Sequence, residues 1–185
     1  MKFLTFALAL LVFLCGCAEK DTGISDALYL RQRISQGNGY SYQAVITADY
    51  GDCTYEFTMD CEIDKDGTQH FTLIKPETIC GITGVISQVG GKLIFDDNVL
   101  LFEPMNRGTL IPAVGPWLMF KAVSGGYIRS GTDSKINQIT IDDSFEGELF
   151  QLLLTVNEGG DPVFGEIIFD NRRILSIKVN DFKVL

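Results

Sequence analysis

From Tyr40 onward the chain alternates apolar and polar side chains with period two, and the rhythm breaks between Pro104 and Gly126. The even positions Tyr40, Tyr42, Ala44, Ile46, Ala48 and Tyr50 face odd positions that are largely polar. In the next run Cys53, Tyr55, Phe57, Met59, Cys61 and Ile63 alternate strictly with Thr54, Glu56, Thr58, Asp60, Glu62 and Asp64. A helix would scatter such a pattern around its circumference, so a half-buried antiparallel strand is predicted. Asp64-Lys65-Asp66-Gly67-Thr68 turns the chain, with Gly67 placed for the positive φ of a bulged hairpin. Gln69–Lys75 returns, and Pro76 ends or bulges that strand. Shorter strands are predicted at Val85–Val89, Lys92–Phe95 and Val99–Phe102. Four more close the chain, around Ile136–Ile141, Glu148–Asn157, Val163–Asp170 and Arg173–Leu185. In the last, apolar parity flips from Leu175, Ile177 and Val179 to Phe182 and Val184, which predicts a bulge near Asn180-Asp181.

Two segments read as helix. Ile24, Leu28 and Ile34 share one face of a helix over Ser25–Gln36, with Ser25 as N-cap and Gly37-Asn38-Gly39 as its stop. Pro116 suits a first helical position and predicts a helix over Pro116–Val123. That helix carries Trp117, Leu118, Met119, Phe120 and Val123, with Val114 just before it. So many apolar groups leave two readings open: a buried core helix, or one that lines a cavity. The candidate lining is Tyr55, Phe57 and Met59 from one strand, Phe150, Leu152 and Leu154 from another, and Trp117, Leu118 and Phe120. The fold class is mainly β with a few helices, in one domain over residues 24–185.

The start of the chain follows a different pattern. Lys2 precedes Phe3–Leu14, an apolar stretch interrupted only by Thr5. It is shorter than the roughly 20 residues of a membrane span and fits the core of a secretory signal. Leu14-Cys15-Gly16-Cys17 resembles the bacterial lipobox, whose last cysteine receives lipid. The resemblance implies a signal peptide over residues 1–16, lipid on Cys17, a tether over 17–23 and a protein held at the extracytoplasmic face of a bacterial membrane.

Charge and chemistry narrow the function. Asp+Glu number 24 against 15 Lys+Arg, a net charge of −9, which argues against nucleic acid as a partner. The single histidine, His70, rules out a multi-histidine metal site and confines any nucleophile–histidine scheme to its own surroundings. Asp64-x-Asp66-Gly67 opens like a calcium loop, but no helix pair and no later glutamate at the right distance complete it. Asp142-Asp143-Ser144-Phe145-Glu146-Gly147-Glu148 reads as a solvated hairpin, with a cation site or a dock for a basic partner as the alternative. Ser124-Gly125-Gly126 lacks the strand–elbow–helix setting of a hydrolase nucleophile. No catalytic, metal or cofactor set emerges, so an enzyme is not expected.

Cys53, Cys61 and Cys80 form an odd set for an oxidising compartment. Cys53 and Cys61 on one extended strand are about 26 Å apart at roughly 3.3 Å per residue, beyond the reach of a bridge. Folding back over the Asp64–Thr68 turn, with a one-residue bulge at Pro76, sets Cys53 opposite Cys80. A Cys53–Cys80 disulfide is therefore predicted, with Cys61 a buried free thiol.

The order of elements carries a further resemblance. A lipobox, one N-terminal helix and long antiparallel strands are followed by Phe71-Thr72-Leu73-Ile74-Lys75-Pro76-Glu77, then Gly81-Ile82-Thr83-Gly84, and by an apolar helical insert before the last strands. The chain resembles the superfamily of the outer-membrane lipoprotein carrier, its receptor, and LppX- and RseB-type proteins. That resemblance implies a strongly curved antiparallel sheet, an incomplete barrel around the N-terminal and inserted helices. It also implies a lipid-like or other apolar ligand in a cavity between sheet and helices, or alternatively a partner protein that the chain binds or stabilises.

Overall fold

A computed structural model describes residues 22–106, 109–132 and 137–185. The leader, Cys17 and the tether up to residue 21 lie outside the described residues. Helix α1 (Thr22–Gln36) starts three residues earlier than the sequence predicts. It ends at Gly37, whose N–H donates to the Arg33 carbonyl at 3.2 Å, before Gly39 takes φ +147°.

The strands follow in a chain of hairpins. They are β1 (Gly39–Asp49), β2 (Thr54–Asp64), β3 (Gln69–Lys75), β4 (Thr83–Ser87), β5 (Gly90–Phe95) and β6 (Asn98–Phe102). A small hairpin, β7 (Met105–Asn106) and β8 (Thr109–Leu110), leads to helix α2 (Gly115–Gly125). Then come β9 (Tyr127–Thr132), β10 (Asn137–Phe145), β11 (Glu148–Val156), β12 (Pro162–Phe169) and β13 (Arg172–Val184). Eleven of these form one antiparallel sheet in the order β6-β5-β4-β3-β2-β1-β13-β12-β11-β10-β9. It is not closed into a barrel: β6 and β9 are its two edges. The pairing of β1 with β13 joins the two wings, and the predicted bulge lies there, between Asn180 and Lys183 with Asp181 at φ +53°.

The period-two pattern sets which face is buried. Across the centre, Val179, Ala44, Met59 and Leu73 lie opposite one another, as do Ile177, Ile46 and Phe57. This apolar face receives α2, eight of whose eleven residues are buried. Helix and sheet approach closely because Gly165 on β12 lies under Met119: a Cβ there would sit 2.5 Å from the Met119 sulfur. Arg31 of α1 donates from Nε to the Val123 carbonyl and from Nη2 to the Gly126 carbonyl, both at 2.7 Å. A cation thus meets acceptors that the end of α2 leaves unpaired.

The predicted Cys53–Cys80 bridge is not formed; Cys53 and Cys80 are exposed free thiols. The register Thr58↔Lys75 would, if continued, set residue 53 opposite residue 80. The shift falls at Ile74 rather than Pro76, and β3 ends at Lys75. The chain then enters a 3-10 turn (Glu77–Ile79) and folds back, with Gly81 N–H donating to the Leu73 carbonyl at 2.9 Å. Cys80 is carried away from any ladder with β2. Cys61 is, as expected, a buried free thiol.

Candidate binding surfaces

The residues expected to line a cavity divide into two groups. Met59, Trp117, Leu118, Phe120, Phe150, Leu152 and Leu154 are buried to 4% exposure or less. They are packed against one another and the sheet as the core: Phe120 stacks on Phe182 at 5.7 Å and tilts against Tyr40 and Tyr42 at 4.7 Å each. Phe57 is half-buried, and Tyr55 is exposed at the far end of β2, where it meets Tyr50 edge-on at 6.0 Å. Side chains, not space, fill the sheet face beneath α2.

An open depression of about 580 Å³ lies at one rim, between the β2–β3 and β4–β5 turns and α2. Its wall includes Tyr40, Gly67, Val89, Trp117, Phe120 and Lys121. Trp117 Nε1 donates to the Gly67 carbonyl at 2.9 Å, which fixes the indole against the β2–β3 turn, and its ring meets Phe145 edge-on at 5.5 Å. Deeper in the core Gln69 is fully buried; its Oε1 accepts from the Tyr42 hydroxyl at 2.7 Å, and its Nε2 has no partner. Burial pushes the pKa of both Tyr42 and Cys61 up. The sequence did not single out Gln69, because a glutamine after a turn reads as solvated.

The outer wing is different. In β5 and β6, Phe95, Val99, Leu100 and Leu101 are 53, 61, 62 and 76% exposed. An edge strand is ordinarily guarded by a charge, a proline or a bulge, and Asn98–Phe102 carries none of them. The opposite edge, β9, has Arg129 and a bulge against β10, and α1 packs on it. A depression of about 520 Å³ flanks the β6 edge, lined by Val85, Val89, Lys92, Leu101, Phe102 and Glu103 among others.

The remaining polar candidates have structural partners. His70 is exposed on the outer face of β3, with Nε2 3.0 Å from Asp64 Oδ2. Of the acidic run at β10–β11, Asp142 pairs with Arg129, and Asp143 with Lys121 at 2.7 Å. Among the described residues no three His, Cys, Asp or Glu side chains converge as a metal set, and no helix is long and apolar enough to cross a membrane.

Fold and surfaces together define an open, curved antiparallel sheet with a helix packed on its concave face and apolar surface left at one edge. No protein-family model matches the sequence, and no curated protein matches it. Among solved structures the chain is similar to a conserved protein from Thermus thermophilus (10% identity, 88% of this chain and 87% of that one, TM-score 0.47). It is also similar to a LolA superfamily protein from Nitrosomonas europaea (9%, 86% and 93%, TM-score 0.42) and to LprF from Mycobacterium bovis (11%, 85% and 93%, TM-score 0.42). Function is argued below from this chain's own residues.

Proposed function

We propose that the chain is a non-catalytic lipoprotein of a bacterial envelope that binds a partner protein through the β5–β6 wing. One observation carries this reading: the sheet face beneath α2 is filled, while the last strand of the same sheet leaves three consecutive large apolar side chains in water. Burying one such side chain stabilises by roughly 1.5–3 kcal/mol, so an occupant of this edge gains what the free chain forgoes. Native mass spectrometry of the protein taken from its own envelope tests the reading. A retained protein is the expected result; retained lipid with no protein would contradict it.

A second reading has its own support. The rim depression between the two turns and α2 has the size of a small-ligand site, about 300–1,000 Å³, and the edge of Trp117 borders it. Titration with a fatty acid at micromolar concentration would shift Trp117 fluorescence if the site binds it, and would leave the spectrum unchanged if it does not. In either case the anchor is Cys17. Labelled fatty acid is expected in the wild type and not in Cys17→Ala; equal labelling would remove the membrane from the proposal.

A further inference from the structure

We infer that β6 is completed by an extended segment of the partner, a short apolar strand flanked at both ends by lysine or arginine. This rests on the partner-binding reading and supplies the chemistry of the partner.

The hairpin geometry identifies the groups on offer. Asp96 and Asp97 both have positive φ, +44° and +64°, which defines a two-residue turn of the I′ kind. In such a hairpin the flanking pair, Phe95 and Asn98, exchanges hydrogen bonds, and bonded pairs recur at every second residue. Leu93↔Leu100 and Gly91↔Phe102 are therefore the other bonded pairs. Val99 and Leu101 lie between them and point their N–H and C=O groups outward, away from β5. Among the described residues, these two thus present a free donor and acceptor each to an added strand, the arrangement that strand addition uses. Side chains of the added strand would fall beside Val99 and Leu101 on the outer face and beside Leu100 on the inner one.

Charge chooses the occupant. Asp96 and Asp97 stand at one end of β6 and Glu103 at the other, and within strands β4–β6 the one cation is Lys92. A second copy of this chain fits poorly: the antiparallel register that pairs all of β6 with itself sets Leu100 on Leu100 and Asp97 opposite Glu103, twice over. Like charges directly opposite are destabilising. A strand with basic ends meets the same positions with complementary charge.

The test uses the mature protein and a synthetic peptide, Lys-Lys-Val-Thr-Val-Thr-Val-Lys-Lys, beside the same peptide with glutamate in place of lysine. Calorimetry gives the affinities and amide hydrogen exchange gives the footprint. The basic peptide is expected to bind at least about tenfold more tightly, a difference of about 1.4 kcal/mol, and to slow exchange at Val99 and Leu101. Val99→Pro removes an outward donor that the β5–β6 ladder does not use, so binding should be lost while the Leu100 amide stays protected. If that variant does not fold, the triple variant Asp96→Asn, Asp97→Asn, Glu103→Gln decides: it should bring the two affinities together with the edge intact. Equal binding of both peptides to the wild type, protection elsewhere, absence of binding, or dimerisation through β6 would each overturn the inference. A partner retained in native mass spectrometry while the peptide result is negative would leave the partner-binding reading standing and this site wrong.

Discussion

Inside the largely apolar core, Cys61, Tyr42 and Gln69 form a small polar group. The Tyr42 hydroxyl donates to Gln69 Oε1 at 2.7 Å, and the Gln69 amide nitrogen has no acceptor. Because a buried polar group without a partner costs about 1–3 kcal/mol, Tyr42→Phe should destabilise by an amount in that range by stranding the whole amide. The double change Tyr42→Phe, Gln69→Leu should cost less than the sum of the single changes, and a urea double-mutant cycle checks it. The Cys61 thiol gives a pH signature. Burial raises its pKa above the ordinary 9.0, aided by Asp60 and opposed by the hydrogen bond with Tyr42. The folded chain keeps this proton and the unfolded chain releases it. Its stabilisation is therefore complete below pH 9, is lost as pH rises above it, and Tyr42 adds to the loss above pH 10.0. The urea midpoint of the wild type should fall between pH 9 and 10, and Cys61→Val should flatten that fall; parallel profiles would contradict the assignment.

Helix α2 docks because the sheet has no side chain at Gly165, where Met119 sits. Gly165→Ala should cost about 1–3 kcal/mol, the usual penalty of overpacking, since Met119 is fully buried and has nowhere to move. Thermal unfolding measures it, and an unchanged midpoint would mean that helix and sheet are looser than the geometry shows. The apolar content of α2 was plain in the sequence, yet it left a cavity wall open beside the plainer reading of a buried core helix. Only the position of the sheet beneath it, set by pairing between β1 and β13 across most of the chain, decides between them. Element boundaries followed the same logic. Strands with strict alternation, such as Thr54–Asp64, were legible to within a residue. The hairpin β7–β8, with two residues to a strand, and strand β9, with Gly131 inside it, were not.

At the scale of the molecule, alternation tells which side chains share a face but not whether anything covers that face. Tyr55 and Met59 obey the same period on one strand, and one is exposed while the other is buried, because α2 and its neighbours cover only the central part of the sheet. The edge position of β6 was likewise invisible, since it depends on the order of all eleven strands. The disulfide argument failed for a related reason: it extended the β2–β3 register past Pro76, where the strand stops. The central claim is that the exposed wing, rather than the space beneath α2, is the working surface. A photoreactive side chain at Leu101, compared with one at the equally exposed Leu149 on the far wing, tests it in the native envelope. The expected result is a protein adduct from position 101 that Val99→Pro abolishes, with none from position 149. Equal adducts from both positions, or adducts with lipid and no protein, would contradict it.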